Sequence, residues 1–321
     1  MILFAIVCTV STLFGNINEE EIIFRNFFMI LCYVNLASNI LFWHNNRSKS
    51  EKILSDMTEL AVVLEKWSNN PQQQRLIMIS NKAKFMVNYY HFLEVSVILF
   101  FSVYPAMSKT LGVTLSILPN TELCFWVLFG IETPLVVVGC VASYDLYAYH
   151  LQTTLCLYGL LKNISEHFLT VDNSDHLNQL IQKHGALLDI TSGLRILCSK
   201  WCFLQISVLL TVLIINTFTC IRGTRDPGIL LVIPLCLVFA CTFCFLGESW
   251  VIASEEIGLS VYRQNWLKAS PDFRRKLVMV IARCQTPEFL DAGLIGSLSL
   301  PTFTKILRLW FKFVQALINL L

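Results

Sequence analysis

The chain has 321 residues, 55% of them hydrophobic and only 14% charged, with a mean hydropathy of +0.62. These proportions lie outside the range of soluble globular domains and make a bilayer the natural solvent. The net charge is +2, and the basic residues are scattered among connecting segments with no continuous stripe, which argues against a nucleic-acid partner.

Apolar runs of about 20 residues, the length a helix needs to cross about 30 Å of hydrocarbon, recur along the chain. In chain order they lie near 22–43, 90–108, 122–146, 200–221, 229–247 and 299–321. A shorter run, 1–14, lacks the basic lead and small-residue cleavage site of a signal peptide and reads as the outer part of a first helix. The expectation is an all-α, multi-pass transmembrane helical bundle with seven spans, the first one short, forming one domain over 1–321.

Lys and Arg concentrate in the segments after the second, fourth and sixth spans, among them Lys49, Lys52, Lys183, Lys200 and Arg274 to Lys276. Short cytoplasmic loops hold the basic excess, so these segments are expected inside, with a cytoplasmic amino terminus and an extracellular carboxyl terminus. Two glycosylation patterns, Asn46-Arg-Ser48 and Asn163-Ile-Ser165, then fall on the cytoplasmic side and are expected to stay unmodified. The same segments carry helical stripes. Ile53, Leu54, Met57, Leu60, Ala61 and Leu64 repeat at three and four, as do Leu177, Leu180, Ile181, His184, Leu187 and Leu188. They predict a packed cytoplasmic layer of helix extensions.

Cys241-Thr-Phe-Cys244 has C-x-x-C spacing but lies inside an apolar span without a second ligand pair, so buried thiols are the reading. Cys124 and Cys220 fall near the outer face, where a disulfide is chemically allowed. No H-E-x-x-H, G-x-S-x-G, Walker or G-x-G-x-x-G pattern is present, and neither an enzyme nor a cofactor or metal is expected.

Residues 244–307 carry a denser pattern. Cys244-Phe-Leu-Gly-Glu248 closes an apolar run and is followed by Ser254-Glu255, Val261-Tyr262, Trp266 and Pro271, then by the basic cluster Arg274-Arg275-Lys276. Arg283, Gln285, Pro287, Ala292-Gly293, Leu298-Ser-Leu300, Phe303 and Ile306-Leu307 complete it. Physically, Ser270-Pro271-Asp272 reads as a helix start, with Ser as N-cap and Pro at the first position, and Pro287 stops that helix. Arg274 to Lys276 mark its basic face, and Leu277, Val278, Ile281 and Ala282 are expected on the packing side.

In order and spacing this pattern resembles the signature of the insect odorant receptor family, and the likeness extends over nearly the whole chain. The family begins well before its first helix, so the resemblance implies an amino-terminally truncated member. It also implies the ligand-binding subunit of an odour-gated, non-selective cation channel. Its partners would be membrane lipid, a small volatile organic ligand and the family's coreceptor in a tetrameric hetero-oligomer. The setting implied is the cell membrane of olfactory sensory neurons.

A cytoplasmic anchor layer over about 248–298 follows from the resemblance, with Arg274, Arg275, Lys276 and Ile281 on its assembly helix. The last span would line the pore, with Ala316 and Leu320 at the gate and Asn319 in a polar ring. Lys312, a charge the family pattern does not lead one to expect there, falls within about 40° of Ala316 at 100° per residue and is expected to face the same path. The odorant pocket would lie among outer halves of the second to sixth spans, with Phe28, Phe100, Phe101, Tyr104, Phe125, Trp126 and Phe129 as candidates. A gustatory receptor is the alternative, disfavoured because that family's T-Y-x-x-x-x-x-Q-F ending is missing. A metabotropic seven-helix receptor is opposed by the charge count, and a transporter by the lack of paired broken helices.

Overall fold

The computed structural model describes residues 20–68, interrupted stretches between 73 and 99, 122–222, 227–264, 266 and 269–320. The named helices in this set are α1 (Glu20–Trp67), α2 (Glu122–Thr170), α3 (Ser174–Ile221), α4 (Pro227–Arg263), α5 (Pro271–Cys284) and α6 (Leu300–Leu320). The run 1–14 lies outside the described residues, as does most of 90–108.

At 1.5 Å per residue, helices of 48 or 49 residues are about 72 Å long, more than twice the thickness of bilayer hydrocarbon. Their remaining lengths form the layer that the stripes predicted. The apolar run at 22–43 and the stripe at 53–64 belong to one unbroken helix, because α1 contains neither Gly nor Pro and helix propagation costs less than a new start. Arg47 and Glu51 pair across one turn, at 2.8 Å, where the surface turns polar. Among the described residues two helical stretches, α3 and Leu230–Arg263, are long and apolar enough to cross a membrane.

The stripes become the core. Met57, Leu60 and Leu64 of α1 meet Leu157, Leu161, Ile164 and Phe168 of α2, and Leu177, Leu180, Leu187 and Leu194 of α3. Trp250, Ile257 and Val261 of α4 close the same cluster. The α2–α3 turn is short, and the Asn173 side chain caps α3 by accepting from the Asp175 amide at 3.0 Å.

Helix α5 starts as the sequence indicates. Ser270 Oγ accepts from the Phe273 amide at 3.3 Å, and Pro271 opens the first turn. Its buried side is Phe273, Leu277 and Val280, with Ile281 half-buried beside them. Val278 and Ala282, expected to pack, are exposed. The inward stripe runs at intervals of four and three from Phe273, which turns both away from α4.

Between α5 and α6 the chain forms a hook. Asp291 and Ser297 pair as an isolated bridge, Leu298 N–H donates to Leu290 C=O at 2.8 Å, and Ala292 N–H donates to Gly296 C=O at 2.9 Å. Gly293 and Gly296 take φ of 57° and 89°, values that side-chain-bearing residues rarely adopt. Leu290, Ala292 and Leu298 fill the space under it and are fully buried.

Candidate functional site

Helix α6 is positioned at its start by the hook and by the end of the Cys244–Glu248 motif. A Cβ on Gly247 would stand 2.1 Å from the Leu298 carbonyl oxygen, so only glycine lets α4 pass this close to the hook. One residue on, Glu248 Oε2 accepts from the Leu300 amide at 3.2 Å and places a carboxylate at the helix amino terminus. Higher up, Trp310 Nε1 donates to Thr217 Oγ1 at 3.0 Å and packs with Val212, Leu213, Val232 and Cys236.

The side of α6 turned away from α3 and α4 is polar. At 100° per residue, Thr304, Gln315, Arg308, Asn319, Lys312, Lys305 and Ala316 fall within about 120° of arc, and all seven are exposed. Lys305, Arg308 and Lys312 have no ion-pair partner among the described residues. A lipid-facing helix end does not carry such an arc, because intramembrane charges turn toward water or toward counter-charges. Ala316, Asn319 and Lys312 therefore share one face; the side chain of Leu320 lies outside the described residues.

Of the candidate pocket residues, Phe100, Phe101 and Tyr104 lie outside the described residues, as do the side chains of Phe28 and Phe125. Trp126 and Phe129 sit on one face of α2 near its start, their rings edge-on with centroids 5.8 Å apart. Trp126 is 48% exposed and Phe129 partly buried.

A polar cluster deeper in the bundle escaped the sequence reading. Asn39 of α1 accepts from Trp201 Nε1 at 3.0 Å and Gln205 Nε2 at 2.6 Å, and donates to Ser143 Oγ at 2.8 Å. Tyr147 donates to Gln205 Oε1 at 2.7 Å. The rings of Tyr147, His150, Trp201 and Phe243 enclose the group, with centroids 5.1–5.7 Å from Tyr147–Phe239 to Trp201–Phe243. The amides Asn35 and Asn39 within the run Val34–Phe42 were the available signal, since an amide in a span seeks an interhelical partner.

In the candidate anchor layer, Arg275 is exposed, Arg274 half-buried, and Lys276 pairs with Asp272 at 2.7 Å. Glu288, whose amide donates to Ser254 Oγ at 3.0 Å, pairs with Arg283 and, at 3.7 Å, with Arg195. Buried His184 meets Phe168 edge-on at 6.0 Å, and burial, reinforced by the Arg283 charge, pulls its pKa down to about 4. Cys220, Cys241 and Cys244 are free thiols. Asn163 is buried, donating to Ser68 Oγ at 3.1 Å.

Comparison with known proteins follows the same lines. The family model described as 7tm odorant receptor matches residues 20–311. Odorant receptor 19a of Drosophila melanogaster is 29% identical over 132 residues, 40% of this chain and 34% of that one. Odorant receptor 85f of the same organism is 25% identical over 199 residues, 59% of this chain and 50% of that one. The chain's matches thus span about a third to a half of the length of these curated relatives. The olfactory receptor OR5 of Machilis hrabei has the same fold. In complex with eugenol it superposes with a TM-score of 0.87 at 11% identity, covering 100% of this chain and 87% of that one. Without that ligand the TM-score is 0.84 at 12% identity, covering 98% and 85%.

Proposed function

Because the chain belongs to the 7tm odorant receptor family, whose model matches residues 20–311, we propose that it is the odorant-binding subunit of an odour-gated, non-selective cation channel. In this reading it assembles with the family's coreceptor as a tetramer in the cell membrane of olfactory sensory neurons. The observation that carries the channel part is the exposed polar arc of α6, with cations that no acid of the described chain neutralises. A helix of this kind has its natural place beside water, and four such helices around an axis enclose a water-filled path.

Ala316 and Leu320 then form the apolar constriction, Asn319 offers an amide to passing ions, and Lys312 stands on the approach. The odorant site lies among the outer helix halves, with Phe28, Phe100, Phe101, Tyr104, Phe125, Trp126 and Phe129 as its wall. Aromatic walls hold small volatile molecules through dispersion and area burial, with few directional contacts. Arg274, Arg275 and Lys276 face the cytoplasm on the assembly helix. Val278, exposed on the same helix, is a better contact with a neighbouring subunit than Ile281, which is half-buried against this chain's own core.

The test is whole-cell recording from cells expressing the chain with the coreceptor during exposure to an odorant panel. An inward cation current evoked by a subset of the panel, and lacking in cells with the coreceptor alone, supports the reading; a response requiring G-protein signalling contradicts it. Orientation is tested separately by glycosidase treatment, where a mobility shift at Asn46 or Asn163 would reverse the topology.

A further inference from the structure

Helices α1 and α3 run antiparallel and leave a groove of about 870 Å³ between them. Their register follows from two contacts: Trp201 Nε1 reaches Asn39, and a Cβ on Gly193 would lie 3.9 Å from Ile53 Cδ1. The groove therefore opens below the polar cluster, between Phe42, Asn46, Lys49, Lys52 and Ile53 on one side and Gly193, Ile196, Leu197 and Lys200 on the other. Small residues on α3, Ala186 and Gly193, leave part of the space between the helices unfilled.

The upper end of this groove sits at a boundary. Above it the exposed surface of α1 is Val34, Ile40, Leu41 and Trp43, and below it comes the polar run beginning at His44. Lys49, Lys52 and Lys200 line this end, are exposed, and have no ion-pair partner among the described residues. Arg47 is occupied by Glu51, while Asp56, Glu59, Asp189 and Lys183 lie toward the other end, and Asp56 makes no ion pair with Lys52. Beside the lysines, Ile196 is 73% exposed and Leu197 and Phe42 form an apolar floor.

We propose that the membrane-proximal end of the α1–α3 groove binds an anionic glycerophospholipid, its headgroup phosphate held by Lys49, Lys52 and Lys200 and one acyl chain leaving along Phe42 toward the hydrocarbon. Three lysines around one space repel each other unless an anion joins them, and the place where two helices leave the hydrocarbon is where a lipid brings one. The site rests on the membrane reading above and not on odour recognition, so its test uses neither odorant nor current.

The full chain in phosphatidylcholine nanodiscs is titrated with tail-labelled phosphatidylserine, and binding is read by energy transfer from the protein's tryptophans. The triple change Lys49→Gln, Lys52→Gln and Lys200→Gln lowers affinity by about 100-fold, about fivefold per lysine, while Lys66→Gln with Lys82→Gln and Lys84→Gln alters it by no more than about twofold. Replacing the three groove lysines by arginine preserves binding, and Lys200→Gln alone costs about fivefold, which keeps the test open if the triple variant folds poorly. Unchanged affinity in the groove variants, equal loss in the control set, or complete displacement of the lipid by excess inorganic phosphate would each overturn the proposal.

Discussion

Replacing Asn39 by leucine removes the residue that ties α1 to both α2 and α3. Its carbonyl oxygen accepts from Trp201 and Gln205, and its amide donates to Ser143, with Asn39 itself 1% exposed. The serine hydroxyl can turn to its own backbone, whereas the Trp201 and Gln205 donors are left in a site with little water. An orphaned buried donor costs about 1–3 kcal/mol, while interhelical bonds in membranes average about 0.6 kcal/mol each. Two orphans and a third lost bond therefore place the destabilisation at about 3–7 kcal/mol. Unfolding of the purified full chain in mixed micelles, followed by far-ultraviolet dichroism, measures it. Because Asn39 and Gln205 share a bond, the double variant Asn39→Leu with Gln205→Leu is expected to cost at least about 1 kcal/mol less than the sum of the single changes. A loss below about 0.5 kcal/mol for Asn39→Leu, or strict additivity, would refute the network.

Two further outcomes follow from the geometry. Gly247→Ala drives a methyl group to 2.1 Å from the Leu298 carbonyl, so the hook must shift, at a cost of about 2–3 kcal/mol and with loss of the response through α6; wild-type stability would show that the contact yields freely. His184 has a folded pKa near 4 against the ordinary 6.5, so the unfolded chain binds the extra proton between these values and stability falls as pH drops through that window. From pH 7 to 5 the contribution of His184 is about 2 kcal/mol, read as a fall of the unfolding midpoint that His184→Phe makes shallower, the buried His150 supplying part of the remainder; an undiminished pH slope in that variant would place the effect elsewhere.

Much of this fold was legible because local chemistry and global packing agree. The Ser270-Pro271-Asp272 start, the stripes at 53–64 and 177–188 and the glycine of the Cys244–Glu248 motif each do what their residue types dictate. The extension of α1 beyond its span was legible from the stripe at 53–64, because a change from apolar to polar surface at His44 marks where a helix leaves the hydrocarbon, not where it ends. The exposed positions of Val278 and Ala282 depend on which way α5 rolls against α4, which its own sequence leaves open. Asn39 was hidden for a different reason: its partners, Trp201 and Gln205, lie more than 160 residues away. The signature of residues 244–307 turns out to hold structure in place: Gly247 for close approach, Glu248 and Ser254 for amides, and Gly293 and Gly296 for the hook.

Relative permeability in the Lys312→Thr variant, recorded with the coreceptor, tests most directly whether this chain's own last helix borders the ion path. A cation on that path repels a divalent ion about twice as strongly as a monovalent one, since the Coulomb energy scales with charge. Lys312 is exposed on the polar arc that it shares with Ala316 and Asn319, without an acidic partner among the described residues. Removing its charge is therefore expected to raise calcium permeability relative to sodium while the order of odorant preference stays the same. An unchanged permeability ratio in a variant that reaches the surface and still responds would take Lys312, and with it the register of Ala316 and Asn319, away from the pore.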